Sequence, residues 1–593
     1  MLKLATHSTP KLVRRLMVYL KPYTLQTVLA ISLLIITMLC SVINPYLLKI
    51  AIDTYIANNN LKGLFVIGGI LLGLNLTSWI ISYFRIEIIS KITNEILITI
   101  RHEFYSHIQT LSFDFFDNHP IGKILARVIG DVNALKDLFN QTIQSLIPEL
   151  LTLICVAVFM FLLNVKMAIA CLVLLPFLVF AMSFIQVYSH KRWLAYREIR
   201  SGLNAFSHES FSGMKVIESF ANETRQAQTF EGHVEDLSKS FIHAIKLNDF
   251  FWPLVDLSWG IGNVVVFFIG YRLVVTGEIQ IGTLLAFCMY VGMFWRPIMN
   301  LSTFYNTLIT NLSAAERIFG ILDEVPAIKN IDEATGKPLP QLDTIIGRII
   351  FDHVSFAYDQ ENLVLDDVNF TVNPGERVAL VGPTGAGKTT IISLLSRFYD
   401  PTVGRILIDG KDIKKVDLES LRSQMGIMLQ DTFLFSTSIM ENIRYGRLEA
   451  TDEQVIAAAK AVNAHNFIMK LEDHYQTVIN ERGSRLSLGQ RQLISFARAL
   501  LANPRILILD EATSNIDTQT EQLVQEGIEK LLKGRTSFVI AHRLSTIKDC
   551  DKIMVVDHNN IIECGTHAQL LQNQEGLYAK LYNAQYQLIS EII

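Results

Sequence analysis

A chain of 593 residues exceeds what one hydrophobic core supports, so more than one structural unit is expected. Half of the residues are hydrophobic and the mean hydropathy is +0.33, which excludes a wholly water-soluble molecule and puts part of the chain in a membrane. The net charge of −4 is uninformative about nucleic acid, but no basic stripe interleaved with aromatics is present and no nucleic-acid partner is expected.

In chain order, Lys11, Arg14, Arg15 and Lys21 precede Thr24 to Leu48, a stretch without a charged residue. That run is too long for a signal sequence and has no small-residue cleavage site, so it reads as a spanning helix. Gly63 to Phe84 and Met167 to Tyr188 are likewise uncharged. Three more apolar stretches each carry one charge: Gln141 to Asn164 holds Glu149, Phe250 to Tyr271 holds Asp256, and the segment from Ile281 holds Arg296. Six transmembrane helices are expected, at about 24–48, 63–88, 138–163, 167–188, 250–272 and 281–306. Lys and Arg concentrate at the N-terminus and in segments 89–137 and 189–249, which places those segments and both termini on the cytoplasmic side.

Glu149, Asp256 and Arg296 lie 15, 16 and 15 residues from the outer ends of their spans, or roughly 22–24 Å at about 1.5 Å per residue. Two arrangements fit this shared depth. The charges line an inward-open cavity, with Arg296 paired to Asp256 or Glu149, or the helices outrun the bilayer and the charges sit among headgroups. Phe251, Trp252, Trp259, Phe294 and Trp295 nearby suit flat apolar or cationic compounds, and equally suit packing. The six cysteines (Cys40, Cys155, Cys171, Cys288, Cys550 and Cys564) show no metal-ligand spacing and read as small buried hydrophobes.

The membrane part is taken as residues 1–320, and the proline-bearing stretch 321–345 as a linker. A cytoplasmic α/β domain spans 346–593. There, Arg377 to Val381 reads as a buried strand running into Gly382, Pro383, Thr384, Gly385, Ala386, Gly387, Lys388 and Thr389, with a helix from Thr390 to Phe398. Strand, glycine-rich loop and helix form a phosphate cradle: backbone N–H groups wrap the phosphates, Lys388 adds charge, and Thr389 can ligate Mg²⁺. Two more buried strands, Ile506 to Leu509 and Thr536 to Ile540, end at Asp510-Glu511 and Ala541-His542. Three strands delivering polar residues around one loop describe a nucleotide site, so ATP and Mg²⁺ are the expected cofactors.

Hydrolysis of the γ-phosphate needs a cationic cradle, a metal and a group that orients water. Lys388, Thr389 and Asp510 meet the first two needs. Glu511 is the candidate for activating water, His542 for donating to the γ-phosphate, and Gln430 for reaching the metal or the water. Taken singly, each has a structural reading: a tyrosine such as Tyr358 is often a rim residue, a strand-end histidine is often structural, and Asp517 fits a helix cap.

Tyr358, the 382–389 loop, Gln430, Leu486-Ser487-Leu488-Gly489-Gln490, Asp510-Glu511, Asp517 and His542, in this order behind six spans, resemble an ATP-binding cassette (ABC) exporter half-transporter over essentially the whole chain. The resemblance implies the type IV ABC exporter fold, six spans fused to a P-loop nucleotide-binding domain. It further implies adenine stacking on Tyr358, phosphate contacts from the loop through Thr390, Mg²⁺ held by Thr389, Gln430 and Asp510, and catalysis by Glu511, His542 and Gln430. Ser487, Gly489 and Gln490 would close over ATP held by a second chain, with Gln430 reporting occupancy to the membrane part. Segments Phe113 to Gly122 and Glu209 to Ile217 resemble the family's two docking loops. The bacterial cytoplasmic membrane is the implied location.

One position departs from the family pattern, which has Gly-Gly where this chain has Leu488-Gly489. A side chain there adds bulk beside the γ-phosphate and removes backbone freedom. Joined to a retained Glu511, it looks like one half of a heterodimeric multidrug exporter; a homodimer is the alternative. The function implied is ATP-driven export of a hydrophobic or amphipathic compound, drug-like or lipid, by alternating access. The alternatives are an ATP-gated channel, a regulatory membrane ATPase, or an exporter specific for one lipid or peptide. The short basic segment ahead of the first helix leads us to expect no peptide-processing peptidase domain there.

Overall fold

In the computed structural model, residues 9–592 are described apart from 174, 333–334, 360–361, 429–431, 481–482, 484–485, 511–517 and 541–546. The chain divides into two units, residues 1–109 with 121–324 and residues 110–120 with 325–593.

The first unit is helical because its apolar runs are long and its few prolines are absorbed. Pro45 lies inside the helix Thr24–Ile50, and Pro297 inside Ile281–Leu322. Helix Leu61–Thr110 has 50 residues, or about 75 Å, and outlasts an apolar slab of about 30 Å. Its two halves differ. From Ile89 onward, Ile89, Ile92, Ile96, Ile100, Phe104 and Ile108 are buried at helical spacing, whereas Phe65, Leu72, Trp79 and Tyr83 in the first half are exposed. A large bare apolar face is stable in lipid or against a second chain, not in water.

Among the described residues, five helical segments are long and apolar enough to cross a membrane: Lys21–Ile56, Leu61–Thr110, Ile121–Leu163, Asp256–Val275 and Ile281–Ile298. The stretch 167–188 falls on helices Val165–Leu172 and Leu175–Ser212, and residue 174 lies outside the described residues. The buried centre of the unit gathers Val42, Val156, Met160, Met167, Phe287 and Tyr290. Tyr290 is fully buried, and its hydroxyl donates to the Val42 carbonyl at 2.7 Å, so the polar atom is satisfied. Gly282 permits one close approach: its N–H donates to Asp53 Oδ1 at 2.6 Å, and a Cβ there would stand 2.7 Å from that carboxylate.

The second unit is built on two sheets. One is six-stranded in the order β10-β9-β3-β8-β7-β6 (β3 Arg377–Val381, β6 Met425–Met428, β7 Ile506–Asp510, β8 Thr536–Ile540, β9 Lys552–Asp557, β10 Asn560–Gly565) and is parallel except for the β9/β10 pair. The other, β2-β1-β4-β5, is antiparallel (β1 Ile349–Ala357, β2 Leu363–Val372, β4 Val403–Ile408, β5 Lys411–Asp412). Alternation splits the parallel strands between two cores. Val378, Leu380, Ile506, Ile508, Phe538 and Ile540 face the antiparallel sheet, while Ala379, Val381, Leu507, Leu509 and Val539 face helices. Burial on both faces is why these strands read as unbroken apolar runs.

The stretch 321–345 is no free tether from Val325 onward. The Asp417 N–H donates to the Pro340 carbonyl at 2.8 Å, the Ile345 N–H donates to Gln424 Oε1 at 2.9 Å, and Leu342 and Ile345 are buried. The helix expected over Thr390 to Phe398 instead runs Lys388–Leu395. It stops where Arg397 turns left-handed at φ 51°, with its buried guanidinium donating to the Val416 and Lys414 carbonyls. Among the six cysteines none is in a disulfide, and Cys564 is exposed, unlike the expectation for it.

Candidate functional site

Strand β3 is buried on both faces and delivers the loop Gly382–Thr389 at its carboxyl end. Two glycines are obligatory there. Gly382 has φ 153° and a Cβ would lie 2.1 Å from the Val556 carbonyl; Gly387 has φ 101° and a Cβ would lie 2.8 Å from Leu365. Pro383, Thr384 and Gly385 are exposed at the rim, whereas Ala386, Gly387, Lys388 and Thr390 are buried. Gly387 caps the helix Lys388–Leu395, so the helix N-terminus opens on the loop, an arrangement that attracts phosphate.

Lys388 donates through Nζ to the Gly382 and Pro383 carbonyls at 2.8 and 2.7 Å, which curls the loop around its own cation. Burial pulls the Lys388 ammonium below its usual range, and the charge of Asp510 acts in the opposite direction. Register explains Asp510: Leu380 of β3 pairs with Ile540 of β8, which pairs with Asp510 of β7, so the three strand ends form one row. Thr389 is exposed beside the buried Lys388, free to meet a metal. The loop, Lys388, Thr389 and Asp510 thus fit a Mg²⁺–nucleotide by donor set. Gln430, Glu511, Asp517 and His542 lie outside the described residues.

Tyr358, just past β1, is 47% exposed, and its hydroxyl lies 3.2 Å from Thr390 Oγ1. Phe356 and Tyr399 brace its ring edge-on at centroid distances of 4.8 and 5.0 Å. Tyr399 in turn donates through its hydroxyl to the carboxylate of Asp117, in the short helix Phe113–Asn118. Burial and Asp117 both push the Tyr399 hydroxyl above its ordinary range. Phe113 packs on Phe398 with centroids 4.4 Å apart, and the Arg422 guanidinium covers the same Phe398 ring at 5.1 Å. These contacts explain why residues 110–120 belong to the second unit rather than to the helices on either side of them.

Ser487 caps the helix Leu488–Ala502: its Oγ accepts from the Gln490 N–H at 3.3 Å, and Gln490 Oε1 accepts from the Ser487 N–H at 3.0 Å. Leu488 opens the helix half-buried, and Gly489 is buried. Further along, Arg498 donates to the Asn442 backbone carbonyl at 2.8 Å and to Asn442 Oδ1 at 3.0 Å, and Asn442 bonds both backbone groups of Phe435. This wholly buried Asn442 fixes the helix and carries no sequence signature; only its polar type inside an apolar region hints at it.

In the first unit, Glu149 does not pair with Arg296. Its carboxylate accepts from Asn300 Nδ2 at 2.5 Å, because Asn300, one helical turn past Arg296, presents the amide opposite it. Asp256 and Arg296 are exposed, and among the described residues neither makes an ion pair. Phe294 and Trp295 are 5% and 4% exposed and belong to the core, while Trp259 is open.

A transmembrane helical unit joined to a P-loop unit of this topology defines a membrane-bound ATPase. A family profile described as ABC transporter transmembrane region matches residues 27–298, and one described as ABC transporter matches 365–514. The chain is 42% identical over 575 residues to the ABC transporter ATP-binding protein YknV of Bacillus subtilis (strain 168), covering 96% of this chain and 94% of that one. It is 36% identical to an ATP-dependent lipid A-core flippase of Syntrophus aciditrophicus (strain SB), over 97% of this chain and 94% of that one. The solved structure of a bacterial Atm1-family ABC exporter with ATP bound superposes at a TM-score of 0.79 with 28% identity, covering 94% of this chain and 98% of that one. The chain belongs to the ABC transporter family and has the type IV exporter fold. It is an ATP-binding exporter subunit of the membrane, an ATPase coupled to translocation. With one membrane region and one nucleotide-binding domain per chain, it is a half-transporter that works as a dimer.

Proposed function

We propose that the chain exports a hydrophobic or amphipathic compound, drug-like or lipid, across the bacterial cytoplasmic membrane by alternating access, with six spans in residues 1–320 and both termini cytoplasmic. The observation that carries the ATPase half is the loop geometry: Lys388 and Asp510 act on one glycine-lined cradle at the ends of aligned strands. Within that site Tyr358 stacks on adenine, the 382–389 loop with Thr390 takes the phosphates, and Thr389, Asp510 and Gln430 hold Mg²⁺. Glu511 activates water, with His542 and Gln430 at the γ-phosphate. ATP drives the cycle because it binds the closed dimer more tightly than the open one. The lipid flippase among the relatives supports an amphipathic cargo.

The dimer is read as a heterodimer. Leu488 stands where the signature Gly adjoins the partner's γ-phosphate, while Glu511 completes this chain's own site. The helix break at Gly213 supports a second chain, since Phe211, Val216 and Phe220 beside it are 78%, 60% and 73% exposed, an apolar tip this chain does not cover. Affinity purification from native membranes, with the co-purified chain identified by mass, tests this; recovery of this chain alone contradicts it. Uphill, ATP-dependent accumulation of a fluorescent lipid in sealed inverted vesicles separates the pump from an ATP-gated channel, which would only dissipate a gradient.

A further inference from the structure

The nucleotide cradle and the docking helix share one aromatic cluster. Tyr358, whose hydroxyl touches Thr390 behind the phosphate loop, leans edge-on against Tyr399, and Tyr399 is hydrogen-bonded to Asp117. Only one side chain therefore stands between the ring proposed to carry adenine and the carboxylate of helix Phe113–Asn118. The neighbouring contact, Phe113 on Phe398, is apolar packing without a hydrogen bond to direct it. Edge-to-face aromatic contacts are directional, so reorienting Tyr358 under a stacked base shifts the preferred position of Tyr399. Its hydroxyl, which donates to the Asp117 carboxylate, carries that shift to the docking helix.

The geometry points to Tyr399 as a positioning residue that reports occupancy by the base, rather than by the γ-phosphate, to the docking helix through Asp117. This rests on the reading of Tyr358 as the adenine platform. It predicts that a ligand with a base and no γ-phosphate acts on segment 110–120, and that a phosphate chain without a base does not.

The test is amide hydrogen exchange of residues 110–120 in the full-length protein in lipid nanodiscs, with Mg²⁺ and either ADP or tripolyphosphate at saturation. ADP is expected to slow exchange in this segment several-fold, and tripolyphosphate to leave it unchanged. In Tyr399→Phe the ADP effect is lost while the calorimetric ADP affinity stays within twofold. Asp117→Ala reproduces that loss, and the double variant is no worse than either single one. Equal protection by tripolyphosphate, or a Tyr399→Phe variant that keeps the ADP effect, overturns the proposal. So does a tenfold fall in ADP affinity, which would put Tyr399 inside the binding site. Tyr358→Ala is the separate control: unchanged ADP affinity there sinks the adenine reading, whatever the Tyr399 arm gives.

Discussion

At the scale of single residues, the nucleotide site follows from backbone constraints that show in the sequence. Gly382 and Gly387 stand where a side chain would strike Val556 or Leu365, so the motif's glycines are dictated by space as well as by phosphate. Ser487 is expected to matter twice. Ser487→Ala removes the cap of helix Leu488–Ala502, worth about 1 kcal/mol, and lowers ATP turnover as well; thermal unfolding and phosphate release measured together separate the two effects. Leu488→Gly should move them in opposite directions. Helix stability falls by up to about 1 kcal/mol, while turnover in the assembled dimer rises, and an unchanged turnover removes the argument that this side chain slows the composite site. The residues that escaped the sequence reading are those whose role exists only in three dimensions. Arg397 looks like a surface cation but ends a helix in a left-handed turn, and Tyr399 and Asp117 are 282 positions apart in the chain.

At the scale of elements, strands were legible because burial on both faces leaves continuous β-branched runs, and β3 and β8 were read with their observed bounds. Membrane helices were legible from apolar length, but where they stop was not. Leu61–Thr110 continues past its apolar half on a buried stripe of Ile89, Ile96 and Ile100 that hydropathy alone does not separate from lipid-facing surface. The pairing of Arg296 with Glu149 failed for a related reason: depth in a membrane fixes a charge along the helix axis, not around it, and Asn300 holds the facing position. Elsewhere Arg317 donates to Asp131 at 2.8 and 2.5 Å, joining helix Ile281–Leu322 to the π-helical turn Arg127–Asp131. Asp131 is 15% exposed and Arg317 41%. After a discount for solvent around Arg317, Arg317→Ala should cost about 1–2 kcal/mol, seen as a lower melting temperature in detergent. Asp131→Leu with Arg317→Met should cost less than either single change. Gly282→Ala should be worse than its small size suggests, since its methyl would meet Asp53 and the Lys49 carbonyl at 2.7 Å; loss of folded protein on size exclusion checks this.

At the scale of the whole molecule, the chain carries apolar surface it does not bury itself. The tip around Gly213 should tolerate charge without unfolding: Phe211→Asp with Phe220→Asp is expected to leave the melting temperature within about 2 °C, surface changes usually lying within ±0.5 kcal/mol. The same pair should abolish ATP-driven lipid movement in vesicles, and full retention of transport would show that the tip has no docking role. What sequence conveyed well at this scale was the order of motifs; the partner's identity is absent because in the proposed composite site each chain supplies only half of the residues. We propose that ATP bound at this chain's own cradle is hydrolysed with Glu511 as the water-orienting group, and that this reshapes the membrane half. Its most direct test is phosphate release by the assembled transporter in lipid nanodiscs with Glu511→Gln in this chain. Loss of a general base predicts a fall of about 10²-fold or more with ATP binding retained, and turnover at the unmodified rate would contradict the account.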